Sequence, residues 1–193
     1  MTRKPLDEHE ARVAQALIKD PRISDNRLGD AYAIPVRTVN RKRHRLEEEG
    51  LLRYYAELDT SISGTGYFSC RHLYTLKFRL DVTVRQLQAQ SLAEPTELTV
   101  FTETIQESHV AEIDGRAALV LVVEGQSDAD IVDRMQEKIL PALEKAHGKS
   151  SVEEISTVRL LQPVRVLHNY LPALNMAAGR MKEDWPIDAV FVA

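Results

Sequence analysis

Cysteine is almost absent: Cys70 is the only one in 193 residues. An internal disulfide is therefore impossible, and a four-cysteine zinc site is excluded. Long apolar runs are missing too. The longest, Ala117–Val123, falls far short of the ~20 residues a membrane-spanning helix needs. After Met1-Thr2-Arg3-Lys4-Pro5 the acids Asp7, Glu8 and Glu10 follow at once, so no secretory signal is legible. The chain is expected to be cytoplasmic. Nor is there an excess of positive charge, the formal net charge being −4. Local density matters more than the total for nucleic-acid binding, and the charge is unevenly spread. Residues 1–60 carry 12 Lys/Arg against 11 Asp/Glu, and the remainder 13 against 18.

Within that ordinary globular composition the first third reads as three helices. Leu6–Lys19 has acids at its start, where the helix dipole favours them. Val13, Ala14, Leu17 and Ile18 lie on one face, and Asp20-Pro21-Arg22 ends the run. Ser24 is a good N-cap for a second helix to Tyr32, with Leu28, Ala31 and Tyr32 as its apolar stripe. Pro35 suits the start of a third helix, which runs to about Glu49 and stops at Gly50. Val36, Val39 and Leu46 share a face there. Leu51–Leu58 reads as a strand, and Ser61–Gly66, with two glycines and two serines, as a linker.

After the linker the rhythm changes. Strands are predicted at His72–Leu80, Ala117–Val123 and Val152–Leu161, the last with room to continue to Leu167, and Glu97–Ile105 and His109–Ile113 look like strand pieces. Helices are predicted at Val84–Leu92 and Asp128–Ala146, and Asp114-Gly115 has the composition of a hairpin turn. The order is β-α-β-β-α-β, a ferredoxin-like arrangement. Helices cover one face of such a sheet, and a partner subunit is the simplest cover for the other. Residues 171–193 form a tail whose Trp185, Val190 and Phe191 should dock on the body or pair with another chain.

Chemistry concentrates in the third helix, Pro35-Val36-Arg37-Thr38-Val39-Asn40-Arg41-Lys42-Arg43-His44-Arg45-Leu46, which has five formal positive charges and no acid. Three short helices with a tight turn before the third match a helix-turn-helix, whose last helix enters the major groove. Lys and Arg neutralise phosphates. Arg reads guanine and Asn reads adenine through paired hydrogen bonds. The predicted DNA-binding residues are Arg37, Thr38, Asn40, Arg41, Lys42, His44 and Arg45. Arg37, Thr38, Asn40 and Arg41 face the bases, and Arg45 a phosphate.

Leu6–Gly66 resembles the N-terminal domain of the leucine-responsive/asparagine-regulator (Lrp/AsnC) family. LDEHEARVAQALIKDPRIS resembles that family's first helix and turn. TVNRKRHRLEEEGLLRYYAELD resembles its recognition helix, glycine and connecting strand. The remainder to about residue 168 is similar to the family's effector and oligomerisation domain. The resemblance implies an α+β chain with an N-terminal winged helix-turn-helix and a ferredoxin-like β-α-β-β-α-β domain. The expected layout is 1–60 for DNA binding, 61–70 as linker, 71–170 for ligand binding and oligomerisation, and 171–193 as tail. It also implies double-stranded DNA as partner, a homodimer with tetramers and octamers as further assemblies, and an amino-acid-like effector. No effector residue is assigned. Arg43 stands where the family has an aliphatic residue, and Gly115-Arg116-Ala117-Ala118 replaces the family's Gly-Asp-Tyr-Asp, whose acids lie near its ligand. The segment Ser91–Ser108 is longer than the family's, and the tail is extra.

Enzymatic signals are thin. His9, His44, His72, His109, His147 and His168 show no metal-ligand spacing, so neither metal nor cofactor is expected. Ser61–Gly66 lacks the Lys-Ser/Thr of a phosphate loop. Glu103, Glu107 and Glu112 have no paired nucleophile, and nothing beside Cys70 marks it as catalytic. The enzymatic alternative is a siroheme decarboxylase, which shares the two-domain architecture, and the dense Arg37–Arg45 charge argues against it.

Overall fold

The computed structural model describes residues 5–90 and 99–192. They form two compact units. One comprises the residues up to Glu57 together with those from Pro163 onward, and the other runs Leu58–Gln162.

The first unit is built on α1 (Glu8–Lys19), α2 (Asp25–Tyr32) and α3 (Val36–Glu48). Asp7 caps α1, and with Glu10 it closes a reciprocal capping box that satisfies two otherwise unpaired amide donors. Ser24 caps α2 through its side chain. Between α2 and α3 the chain turns through Ala33 at φ 53°. A Cβ on Gly29 would lie 2.8 Å from the Ile34 carbonyl oxygen, so only glycine admits this approach of the two helices. Val13, Ala16, Leu17, Leu28, Val39 and Leu46 form the core. Of the expected stripes, Val39 and Leu46 are buried, whereas Val36 is 40% exposed and Ala31 is exposed too.

Leu51–Leu58, expected as a strand, is not one. A strand needs a ladder partner for its amides. Here the amides of Leu51 and Leu52 both donate to the Leu46 carbonyl and close the C-terminus of α3 instead.

The second unit is a four-stranded antiparallel sheet of order β2-β3-β1-β4. Its strands are β1 (Cys70–Phe78), β2 (Ile105–Ile113), β3 (Arg116–Gly125) and β4 (Val152–Leu160). Helix α4 (Val84–Gln90) and helix α5 (Thr99–Thr104) connect β1 to β2. Asp114 and Gly115 both have positive φ, at 53° and 73°, and join β2 to β3 through the two-residue turn that matches strand twist. Helix α6 (Asp128–Arg134) continues through a π-helical turn, Met135–Ile139, into α7 (Leu140–His147). Pro141 supplies no amide and its ring crowds the preceding turn. The wider π turn upstream is the relief.

Tyr74, Leu76 and Phe78 of β1 and Leu121 and Val123 of β3 pack under Ile131, Met135, Ile139 and Leu143. The opposite face carries Leu73, whose register partners are Val122 and Val158, and Val120 opposite Thr75, and Val158 is 52% exposed.

Two expectations change here. Within Glu97–Ile105, residues Thr99–Thr104 are helical, while 97 and 98 lie outside the described residues. Ile105 pairs with Val123, so only Glu124 and Gly125 of β3 remain, and there is no ladder left for residues further upstream. Strand β4 ends at Leu160 rather than running to Leu167. The predicted end of α4 at Leu92 lies outside the described residues.

The tail folds back onto α1. The Lys19 ammonium donates to the carbonyls of Glu183 and Trp185, each at 2.6 Å. Arg12 pairs with Asp188 at 3.0 Å, and the Tyr170 hydroxyl donates to the Ile18 carbonyl. A short hairpin pairs Met176–Ala177 with Arg180–Met181. Its organiser is Asn175, which is fully buried. The Asn175 side chain accepts from the Leu171 amide and donates to the Asn169 carbonyl.

Candidate nucleic-acid interface

Helix α3 has no acid in its first turn, and its N-cap, Pro35, makes no side-chain capping bond. Its basic residues divide into two sets.

Lys42, Arg43 and Arg45 are engaged by acids of the same unit. Lys42 binds Asp7, and its ammonium lies 3.1 Å from Glu10 Oε1. The Lys42 side chain is only 12% exposed. Arg45 reaches the same Glu10 oxygen at 3.1 Å and Glu49 at 2.8 Å. Arg43 pairs with Asp25 at 3.0 Å and Glu47 at 3.1 Å, and lies over the Tyr54 ring. Arg43 therefore occupies its inward position as a half-buried ionic brace between α2 and α3.

These pairings shift proton affinities. The hydrogen bond from Lys42 holds the Asp7 carboxyl below its ordinary value. Burial pushes Glu10 up, but the Asp7 amide and Lys42 outweigh it, and the net shift is downward. Asp25 follows the same logic: burial raises it, and the hydrogen bonds from Asn40 and Arg43 bring it below the usual range. The Tyr54 phenol is pushed up to about 12 by burial and by its bond to Glu47.

Arg37 and Arg41 form the second set. Both are exposed, and among the described residues neither has an ion pair. Asn40 is exposed beside them, with its amide nitrogen 3.0 Å from Asp25 Oδ2. His44, 65% exposed, lies 3.8 Å from Glu47, and Thr38 is half-buried. The structure thus brings Arg37, Asn40, Arg41 and His44 to the outer side of α3, with Arg45 half engaged and Lys42 turned to α1. The acids that sort these residues were not marked by the charge run. Asp7 and Glu10 could have been found from the Asp-x-x-Glu spacing of a capping box. Asp25 has no such signal.

No protein-family model matches the chain, and no curated protein matches it in sequence. Solved structures do match its fold. A transcriptional regulator of Neisseria meningitidis in complex with L-Met superposes with a TM-score of 0.62 at 16% identity, over 88% of this chain and 96% of that one. The chain has the fold of AsnC-type regulators. AsnC of E. coli matches over 85% of this chain and 97% of its own, with TM-score 0.58 and 14% identity. LrpC of B. subtilis matches over 85% and 100%, with TM-score 0.56 and 16% identity. What is shared at such identities is the arrangement of helices and sheet, and the chemistry of α3 has to be read from its own side chains.

Among the described residues no helix is long and apolar enough to cross a membrane.

Proposed function

We propose that this protein is a sequence-specific transcription regulator of the Lrp/AsnC kind, binding double-stranded DNA as a homo-oligomer. The observation that carries the reading is the outer surface of α3, where Arg37 and Arg41 stand exposed and without an ion pair among the described residues, with Asn40 between them. A groove-entering helix needs such cations to contact phosphates and guanines.

In this reading the helical unit is the helix-turn-helix and the sheet unit a ferredoxin-like assembly domain. Arg37, Thr38, Asn40 and Arg41 meet base edges, while His44 and Arg45 meet phosphates. Lys42 serves mainly to hold α3 against α1. The apolar sheet face around Leu73, Val120 and Val158 supports a second copy as its cover. Two α3 helices on a two-fold axis then read a pseudo-palindromic site. The L-Met in the Neisseria structure supports an amino-acid-like effector.

A gel-shift titration against DNA upstream of the protein's own gene, with and without amino acids, tests the proposal. Discrete complexes at a two-fold site that weaken with salt support it. Absence of salt-sensitive binding at any site refutes it.

A further inference from the structure

Asp25 sits at the start of α2, outside the basic run, yet it touches two of that run's residues. Its Oδ2 accepts from the Asn40 amide nitrogen at 3.0 Å, and its Oδ1 accepts from Arg43 at 3.0 Å. Arg43 in turn donates to the Ile23 carbonyl and to Glu47. A line of hydrogen bonds therefore runs from Glu47 through Arg43 and Asp25 to Asn40.

An asparagine amide has a carbonyl oxygen and two N–H donors. Its terminal torsion is broad and roughly two-fold, so a free amide presents oxygen and nitrogen in either order. Asp25 removes that freedom. As a carboxylate it only accepts, so the nitrogen must face it and the oxygen must turn away. One N–H and the carbonyl oxygen remain for an outside partner. That donor–acceptor couple is the one adenine satisfies with N7 and N6–H2. Arg43 holds the carboxylate in place and accounts for an arginine at an inward-facing position.

We infer that Asp25 is a positioning residue that fixes the Asn40 amide for reading one adenine in each half-site. The inference rests on the proposed DNA-binding function, and its test separates the two.

The test is selection of binding sites from a randomised duplex pool by the full chain, followed by affinities for sites that differ at single positions. Wild type should select an adenine at one position per half-site, and Asn40→Ala should lose that preference. Asp25→Ala should lower discrimination at that position by about ten-fold, the scale of one good paired contact. Discrimination elsewhere and the salt slope should stay as in wild type. Asp25→Asn, which still offers an accepting oxygen, should recover most of the loss. In an Asn40→Ala background, Asp25→Ala should cost no further discrimination there. Asp25→Ser keeps a residue suited to a helix start but is too short to reach the amide. It should behave like Asp25→Ala and serves if that variant does not fold.

The inference is overturned if the Asp25 variants keep the adenine preference, if they weaken all sequences equally, or if Asn40→Ala leaves selection unchanged. A wild-type chain that selects no sequence overturns the DNA-binding proposal itself.

Discussion

The Glu10 carboxylate lies 3.1 Å from the Lys42 ammonium, and the two side chains are only 4% and 12% exposed. The same oxygen takes Arg45, and the other oxygen accepts from the Asp7 amide. One buried acid on α1 thus closes that helix's cap and fixes the middle of α3. Removing it leaves Lys42, whose side chain is 12% exposed, with Asp7 as its remaining carboxylate, while Arg45 keeps Glu49. Loss of one partner of a buried ion pair costs roughly 3 kcal/mol, and the remaining carboxylate makes the cost here smaller. Glu10→Gln is expected to lower the thermal midpoint of the helical unit clearly, whereas Glu8→Gln, at an exposed position, should leave it almost unchanged.

The lowered carboxyl groups set a direction for pH. Asp7, Glu10 and Asp25 all bind protons less readily in the fold than their ordinary values. The unfolded chain therefore binds more protons than the folded chain in the acidic range, and stability falls with pH there. The contribution of these groups is complete above the ordinary carboxylate values. It is lost as pH drops through the lowered ones. Denaturant midpoints followed from pH 7 to pH 3 should decline. In Glu10→Gln the decline should be shallower, because one of the three groups no longer titrates. An equally steep decline would count against the assignment.

The two sets of basic residues should separate by experiment. Arg37→Ala and Arg41→Ala are expected to weaken specific DNA binding by about 1–3 kcal/mol each, with little change in melting temperature. Lys42→Ala should do the reverse, lowering the melting temperature more than affinity, since its ammonium is spent on Asp7 and Glu10. Calorimetric melts and anisotropy titrations on the same preparations distinguish the sets.

Asn175 offers a test of the tail. Replacing it by Ala leaves the Leu171 amide and the Asn169 carbonyl without their partner. A buried unsatisfied group costs about 1–3 kcal/mol. Asn175→Ala should speed amide exchange and proteolytic cleavage in residues 169–192 more than in the sheet unit. Uniform protection would contradict the role given to Asn175.

Much of this was legible in the sequence, because local signals and tertiary demands agreed. Ser24 caps α2, Gly50 with φ 65° follows α3, and Asp114-Gly115 makes the expected hairpin. Where they disagreed, the pattern misled. Thr99–Thr104 is rich in β-branched residues that favour strands, but β3 ends too soon to pair with it. Leu51–Leu58 alternates like a strand, yet its first amides are consumed by the end of α3. The site was legible as a charge run and not as a sorted surface. Which cations are free depends on Glu10 and Asp25, residues 32 and 18 positions away from Lys42 and Arg43. The same holds for Asn175, whose burial depends on the tail returning to its own unit.

Whether the outer face of α3 reads DNA is decided by the affinity of wild type and of an Arg37→Ala/Arg41→Ala double variant for the selected site across a salt series. Each phosphate neutralised contributes about −0.9 to the slope of log affinity against log salt. A DNA-reading α3 gives a steep negative slope for wild type, and tighter binding to the selected site than to scrambled DNA. The double variant should remain folded, lose that preference and bind at the non-specific level. Equal binding of wild type and double variant, or a wild-type affinity indifferent to both salt and sequence, would contradict it.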